Sequence, residues 1–203
     1  MFETVGNQSY SCLINMIKND KMTDQDIITE ILLGNRFLFS KLIDKYQRMV
    51  FTLAMGFVHQ KENAEDLTQD IFIKVWIALP NYKRDAIFST WLYRIAVNYC
   101  INFVEKNKRN RFIVLAEELI GHVFNTAIND KDAQQELEEM ESGNLVRTAI
   151  DSLPINQRTA FILSAYEELP IKEIASIMNR SEGAVEQLLQ RAKMNLKKKI
   201  KHP

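Results

Sequence analysis

"IKEIASIMNRSEGAVEQLLQ", residues 171–190, is the stretch that decides the fold of the C-terminal part of the chain. It contains two runs of apolar residues at helical spacing, separated by a turn at Asn179, and Ser181 is placed to cap the second run. Ala175 is small enough for close helix approach, Asn179 accepts a left-handed turn, and Val185 packs the second helix back. A simple helical hairpin needs none of these three in register. The pattern therefore predicts a helix-turn-helix whose second helix reads a DNA groove.

The second helix of this motif continues into a basic end, and its periodicity separates an inner face from an outer one. The inner face is apolar and contains Val185, Leu188, Leu189, Ala192 and Leu196. The outer positions supply the candidate DNA contacts, with amides towards the bases and basic groups towards phosphates: Ser181, Glu186, Gln187, Gln190, Arg191, Lys193 and Lys197. The alternative is that the terminal lysines are a solvated end that suits the helix dipole.

Composition limits the class of protein. The 203 residues carry no net charge and are 46% apolar, with only 6 Gly and 4 Pro, which disfavours turn-rich all-β architectures. Any nucleic-acid binding must therefore come from local basic patches. Cys12 and Cys100 form no disulfide framework, which is typical of a cytoplasmic protein. No apolar run is long enough for direct membrane insertion, and the N-terminus does not resemble a signal peptide.

The rest of the chain predicts an all-α fold, because nothing alternates at period two for long enough to form a sheet. Helices are expected over about 23–34, 36–58, 61–80 and 89–109, with caps at Thr23 or Asp24, at Asn63 or an Asp-type residue, and at Ser89 or Thr90. An acidic run follows this basic module. We therefore expect two small helical domains joined by a short acidic linker, with these boundaries: an N-terminal extension over 1–22, a first domain over 23–111, the linker over 112–142 and a second domain over 143–203.

One predicted helix, over 62–79, has two apolar faces. The core stripe consists of Ala64, Leu67, Ile71, Val75 and Leu79. The other side sets two isoleucines and a tryptophan among acids and amides, which is typical of a partner-docking patch: Asp66, Gln69, Asp70, Ile73, Trp76 and Ile77. The alternative is that a neighbouring helix or the linker covers the isoleucines.

The next helix carries a face suited to unpaired bases. Its expected core stripe is Leu92, Ile95, Ala96, Tyr99 and Phe103. On another face Trp91 can stack on a base, Arg94 can hold phosphate and Asn98 can pair with a base edge. The preceding loop "NYKRDAIF" adds further candidates, namely Tyr82, Lys83, Arg84 and Phe88. The alternative is a tryptophan half-buried against the loop and an arginine in a surface ion pair.

Nothing in the sequence predicts catalysis. His59, His122 and His202 are scattered, and there is no nucleophile elbow, glycine-rich phosphate loop or paired metal-ligand cluster. We therefore expect no enzyme activity, cofactor, metal or small-molecule substrate.

Three stretches resemble one bacterial family. "AEDLTQDIFIKVWIAL", "FSTWLYRIAVNYCINFV" and "LPINQRTAFILSAYEELPIKEIASIMNRSEGAVEQLLQRAK" are similar to RNA polymerase sigma factors of the sigma-70 family, in the extracytoplasmic-function (ECF) group. The first two resemble region 2 of the family and the last resembles region 4. The likeness covers about 24–111 and 143–200, and the acidic linker stands where larger sigma factors carry region 3.

The resemblance implies a role for each face. The patch on 62–79 would dock on the clamp helices of core RNA polymerase. The loop and the Trp91 face would melt and read the −10 element of promoter DNA, and the helix over 182–199 would enter the −35 groove. The family also implies an anti-sigma factor as a partner. Glu186 departs from the basic or small polar residue of many relatives, so no −35 sequence is carried over.

Two rivals come from other classes. A helix-turn-helix regulator that never associates with core polymerase would explain the C-terminus but neither the isoleucine patch nor the Trp91 face. A recombinase would need a catalytic serine, tyrosine or carboxylate site, which the sequence does not show.

Overall fold

The computed structural model describes residues 22–120 and 145–201, with side chains over 22–109 and 145–200. All regular structure in these ranges is helical, which confirms the all-α prediction. Of the predicted N-terminal extension only Met22 is described, and of the predicted linker only 112–120. The remaining parts of both segments lie outside the described residues.

The described chain forms two modules of helices. The first contains α1 (Asp24–Leu32), α2 (Phe39–Val58), α3 (Lys61–Ala78) and α4 (Phe88–Ile120), with single 3-10 turns at Arg36–Leu38 and Leu79–Asn81. The second contains α5, described over 145–151, followed by α6 (Ile155–Ala165), α7 (Ile171–Met178) and α8 (Glu182–Lys201).

Local chemistry accounts for some of the helix ends. Thr23 and Asp26 form a capping box at α1, in which each side chain accepts a hydrogen bond from the other residue's backbone N–H. The predicted cap of α3 is wrong: α3 begins after Gln60, and Asn63 lies within its first turn. The left-handed conformation of His59, with φ 56°, ends α2 and turns the chain into α3.

The core of the first module follows the predicted α3 stripe, whose five residues are at most 1% exposed. Helix α4 differs from its prediction: of the expected stripe only Leu92 and Ala96 are buried, while Ile95, Tyr99 and Phe103 are half-buried, and a second stripe is buried beside them. That stripe repeats at offsets zero, four, seven and eleven, as one face of a helix requires: Tyr93, Val97, Cys100 and Val104.

Helix α4 also crosses the predicted domain boundary at 111 and runs without a break to Ile120. The predicted boundary rested on a change of charge from basic to acidic. Charge reversal does not end a helix, and residues 112–120 include Leu, Ala and Glu, which favour helix, with no Gly or Pro.

The helix-turn-helix is present as predicted. Asn179 adopts the left-handed conformation, with φ 52° and ψ 52°, and so reverses the chain after α7. The hydroxyl of Ser181 accepts from the backbone N–H of Ala184 at 3.3 Å and caps α8. Ala175 and Val185 are buried between the two helices.

The two modules pack directly against each other. Helix α4 lies against α7, and α2 lies against α6. One apolar core therefore continues from Leu92 and Phe57 in the first module to Ile162 and Ile174 in the second. A smaller core between α5 and α8 lies within the second module.

Candidate functional site

The side of α3 opposite its core stripe, which we call the docking face, lies open to solvent. Ile73 is 56% exposed and Ile77 is 62% exposed, so no helix among the described residues covers them. Trp76 is braced from beneath by Phe39, with ring centroids 4.9 Å apart. The docking face is thus a fixed apolar patch, and burial by a neighbouring described helix is wrong as an explanation of it.

Acidic and amide side chains surround this patch. Asp66, Gln69 and Asp70 are all exposed. Asp70 accepts a hydrogen bond of 2.8 Å from the hydroxyl of Tyr99 on α4, and this bond raises the pKa of Tyr99. The bond fixes the acidic rim of the docking face to the neighbouring helix.

The loop before α4 is held by its own side chains. The hydroxyl of Tyr82 donates to the carbonyl of Ala86 at 2.6 Å, and the guanidinium of Arg84 donates to the hydroxyl of Thr29 at 2.7 Å. Arg84 also takes the left-handed conformation, with φ 62°. The loop therefore presents Lys83 and Arg84 to solvent in a defined geometry.

Two predicted DNA contacts in this region are buried instead. Tyr82 is 7% exposed and Phe88 is 3% exposed, because both rings pack into an aromatic cluster with Tyr46 and Trp91. Trp91 itself is half-buried, with its ring 5.0 Å from that of Tyr82. Tyr82 and Phe88 thus support the Trp91 ring from within the core, whereas Asn98 is exposed.

Arg94 is engaged by the second module. Its Nε and Nη2 donate to the backbone carbonyl of Ser176 on α7 at 3.1 and 2.8 Å, and Nη2 also reaches the Ser176 hydroxyl at 3.2 Å. A cation at the C-terminal end of a helix is favourable because the helix dipole places partial negative charge there. The predicted surface ion pair is therefore wrong in kind, since Arg94 binds a helix end and not a carboxylate.

The outer face of α8, which we call the recognition face, lies open to solvent. All its predicted members are exposed in the structure: Ser181, Glu186, Gln187, Gln190, Arg191, Lys193 and Lys197. The inner residues Val185, Leu189, Ala192 and Leu196 are buried, and Leu188 is half-buried, as the periodicity predicted. Amides and one acid lie on the first half of this face, and basic groups follow.

Sequence reasoning missed a polar junction between α2, α5 and α6. Arg158 is only 2% exposed, and its guanidinium lies 2.5 Å from Asp151 and donates to the carbonyl of Phe57. His59 approaches the same Asp151 at 3.1 Å. Hydropathy alone assigns an arginine to the surface, so no signal in the sequence marks this burial.

Burial and the neighbouring cations act in opposite directions on the pKa of Asp151. Burial raises it, but the hydrogen bond with His59 and the charge of Arg158 lower it further, so the net pKa falls below 3.8. The carboxylate is therefore charged at neutral pH. Its contribution to stability is complete above pH 3.8 and is lost as pH falls through the lowered pKa.

A second missed contact joins Tyr93 of α4 to the loop after α6. The Tyr93 hydroxyl donates to Oε2 of Glu167 at 2.7 Å, while Oε1 of Glu167 is buried without a hydrogen-bond partner. Burial raises the pKa of Glu167, and the Tyr93 hydrogen bond lowers it by less. This carboxyl is thus held between the modules at a cost in desolvation.

Within the part of the chain that the structure describes, no three His, Cys, Asp or Glu side chains are placed to hold a metal ion. The same residues include no helix with the length and apolar character needed to cross a bilayer.

The sequence is similar to two family models and to several known proteins. The family model described as Sigma-70 region 2 matches residues 42–110, and that described as Sigma-70, region 4 matches 143–196. The RNA polymerase sigma-H factor of Pseudomonas aeruginosa is 32% identical over 182 residues, which cover 87% of this chain and 93% of that protein. The ECF RNA polymerase sigma-E factor of Haemophilus influenzae is 30% identical, with 89% and 97% covered.

Two solved structures share the fold. CnrH, solved in complex with the cytosolic domain of CnrY, matches with a TM-score of 0.59 at 21% identity, covering 86% of this chain and 94% of that one. The sigma factor RpoE from Bartonella quintana, solved with the anti-sigma factor NepR, matches with a TM-score of 0.54 at 20% identity, covering 81% and 97%. At these identities the likeness concerns the fold alone.

Proposed function

The chain belongs to the extracytoplasmic-function group of the sigma-70 family, and we propose that it meets core RNA polymerase and promoter DNA through the three surfaces described above. It is a sigma factor, which binds core polymerase and directs promoter recognition and transcription initiation. The observation that carries this function is the order of two family matches, each on one module of the fold. A lone helix-turn-helix regulator would have no need of the first.

The docking face of α3 is proposed to bind the clamp helices of the largest polymerase subunit. Ile73 and Ile77 offer more than half of their surface to a partner, and Trp76 is already held in place by Phe39. A braced aromatic ring loses little conformational freedom on binding, so such a residue is suited to anchor an interface.

The loop over 81–88 and the outer face of α4 are proposed to open and hold the −10 element. Lys83 and Arg84 would bind phosphates, Trp91 would stack on an unpaired base and Asn98 would pair with a base edge. Melting of this kind needs no covalent chemistry. It needs a site that holds the unstacked strand against a cost of a few kcal/mol.

The recognition face of α8 is proposed to enter the −35 major groove. Its amides can read base edges, and Arg191, Lys193 and Lys197 can bind flanking phosphates. Each module alone then binds DNA weakly, but the two act together through effective concentration when they are held on one polymerase. This arrangement suits a chain with no net charge.

We propose an anti-sigma factor as a further partner. The sigma factor RpoE, which has a similar fold, was solved in complex with the anti-sigma factor NepR. The proposed place of action is the cytoplasm, where polymerase and promoter meet. We further propose that the chain works without a catalytic centre, cofactor or metal, because binding and strand separation account for the whole function.

Run-off transcription tests the function directly. Purified chain is added to core polymerase and a genomic fragment that contains a candidate promoter. We expect transcripts from one defined start site that require both the chain and the polymerase. DNA binding without polymerase-dependent initiation would instead identify a helix-turn-helix regulator.

A further inference from the structure

Arg84, in the loop before α4, has an unusual backbone conformation for an arginine. Its φ of 62° lies in the left-handed region, which glycine and asparagine adopt much more readily than residues with long side chains. A residue stays in such a conformation only where the surrounding contacts hold it there. The contacts of Arg84 are therefore part of what gives the loop its shape.

The guanidinium of Arg84 is held by Thr29 of α1, which lies 55 residues earlier in the chain. Its Nη2 donates to the hydroxyl oxygen of Thr29 at 2.7 Å. The Thr29 hydroxyl donates its own proton to the backbone carbonyl of Gln25, one turn earlier in α1, also at 2.7 Å. Because that proton is engaged within the helix, the oxygen acts towards Arg84 as an acceptor alone. Two hydrogen bonds in series thus join the helix to the loop.

The acceptor that holds Arg84 carries no charge. A carboxylate in the place of the Thr29 hydroxyl would pair with the guanidinium and compete with a phosphate for it. The hydroxyl fixes the direction of the side chain and uses one of its five N–H donors, and the positive charge remains. Arg84 is exposed, so a phosphate can reach it from solvent.

Helix α1 is a firm support for this contact. At its start, Asp24 accepts a hydrogen bond of 2.5 Å from the hydroxyl of Tyr46 on α2. The position of Thr29 is therefore set by packing within the first module and does not depend on Arg84. Three isoleucines on the inner side of α1 are at most 6% exposed and belong to the main apolar core: Ile27, Ile28 and Ile31.

We propose that Thr29 is a positioning residue for the −10 strand, whose hydroxyl holds Arg84 in the direction in which the guanidinium binds a phosphate of the opened promoter. The proposal rests on the proposed function, because it adds a support to the loop assigned to the −10 element. Without this hydroxyl, Arg84 is still present but must be ordered each time DNA binds. That ordering costs conformational entropy and weakens the complex.

The test measures how tightly holoenzyme, made from the full chain and core polymerase, binds the promoter fragment that supports run-off transcription. A mismatched bubble across the −10 element keeps the strand of this probe unpaired. Thr29→Val removes the hydroxyl and keeps the size and branching of the side chain. It should raise the Kd about twofold to tenfold, the range for ordering one long side chain on binding. Thr29→Ser keeps the hydroxyl and should restore the native Kd.

Thr52→Val is the matched control. Thr52 is half-buried, as Thr29 is, and its hydroxyl makes the same kind of bond, to the carbonyl of Arg48 four residues earlier, at 2.9 Å. It lies on α2, outside the three proposed surfaces. Loss of this bond should affect the stability of the chain about as much as Thr29→Val does, and it should leave the Kd for the probe unchanged.

A double-mutant cycle tests whether Thr29 acts through Arg84. Arg84→Gly removes the side chain and suits the left-handed backbone, and it should raise the Kd about tenfold, as loss of a hydrogen bond to a charged group implies. It should also reduce the slope of log affinity against log salt by about 0.7, the value for one phosphate of a single strand. In this background Thr29→Val should have no further effect, because no side chain is left to position.

Four results would each overturn the positioning role: a native Kd for Thr29→Val, a native Kd for Arg84→Gly, equal effects of Thr29→Val with and without Arg84, or a Thr29→Ser variant as weak as Thr29→Val. None of them concerns initiation by the native chain. Run-off transcription by native holoenzyme is measured in parallel, so a chain that starts at one defined site upholds the proposed function whatever the outcome of the cycle.

Discussion

The guanidinium of Arg158 donates a hydrogen bond to the backbone carbonyl of Phe57, which lies 101 residues earlier in the chain. That carbonyl is one of the last in α2 and has no helical partner of its own, so a side chain of the second module completes a helix of the first. The ring of Phe57 lies beneath the same guanidinium, 5.7 Å from its central carbon. The two modules therefore share polar contacts as well as an apolar core.

Glu167→Gln should make the packing between the two modules more stable at neutral pH. Glutamine keeps an acceptor for the Tyr93 hydroxyl but carries no charge. The desolvation that raises the pKa of Glu167 therefore no longer opposes the packing of the two modules. In the native chain protonation relieves the same penalty. The difference in unfolding stability between the Glu167→Gln variant and the native chain should therefore shrink as pH falls through the raised pKa of Glu167 towards the ordinary value of 4.5. Urea denaturation midpoints across this range measure it.

Glu168→Gln is the control for that experiment, because Glu168 is the exposed neighbour in the same loop. It should leave the pH dependence of the midpoint unchanged. A Glu167→Gln curve parallel to that of the native chain would contradict a buried, destabilised carboxyl.

Ile73→Asp combined with Ile77→Asp should abolish co-purification with core polymerase. Both side chains are more than half exposed, so their replacement should alter the free energy of unfolding by no more than about 0.5 kcal/mol per site. Pull-down on tagged core polymerase measures the binding, and circular dichroism checks the fold.

Leu33→Asp is the matched control for docking, since Leu33 is also an exposed apolar residue, at 77%, but lies at the end of α1. Its polymerase binding should be normal. If the α3 double variant binds as well as the native chain, the docking face is assigned to the wrong helix side.

Arg94→Ala should permit closed promoter complexes but reduce open ones by tenfold or more, about the loss expected for a missing contact to the unpaired strand. Permanganate reactivity of unpaired thymines measures open complexes. A template with a pre-melted bubble should restore activity, because the strand no longer has to be separated. Equal defects on duplex and bubble templates would contradict a role in melting.

Trp91→Ala should affect the stability of the first module as well as promoter melting. The structure places this ring against Tyr82 and Phe88, so its removal should also lower the thermal midpoint of the first module. A melting defect without any loss of stability would mean that stacking on DNA, and not support of the cluster, is the main role of Trp91.

Glu186→Ala should relax the preference for one −35 base pair and change affinity for random DNA little. Glu186 is exposed beside Gln187 on the recognition face, where an acid can accept from the amino group of a cytosine. Discrimination by such a contact is about 1–3 kcal/mol. Selection of −35 variants against the native and variant holoenzymes measures the preference.

Arg191→Ala is the contrast, and it should weaken −35 binding more than replacement of any one of Lys197, Lys198 or Lys199. Tighter binding of Glu186→Ala to all sequences alike, with an altered salt dependence, would mean that the acid only repels phosphates.

Helical periodicity predicted the parts of the fold that are local. The α3 stripe, the turn at Asn179 and the inner face of α8 all follow from spacing within about one or two turns. The cap of α3 and the end of α4 were predicted from residue type and charge, which are weaker indicators than periodicity. The cap is not at Asn63, and α4 continues past its predicted end near residue 109 to Ile120.

The junction between the modules could not be predicted in this way. The stripe that includes Tyr93 and Cys100 is apolar in the sequence, but periodicity does not say which distant helix covers it. Arg158 and Glu167 are charged, and composition assigns such residues to the surface. The same long-range packing turns Arg94 from a free DNA contact into a partner of Ser176.

The buried thiol of Cys100 can report how often helix α4 becomes exposed to solvent. It is fully buried on the α4 stripe shared with Tyr93, and burial raises its pKa to about 12. Because the thiolate is the form that reacts with alkylating reagents, this cysteine is chemically silent while α4 remains covered. With Cys12 replaced by serine, the rate at which a reagent consumes the Cys100 thiol counts how often the helix is uncovered, with no label attached beforehand.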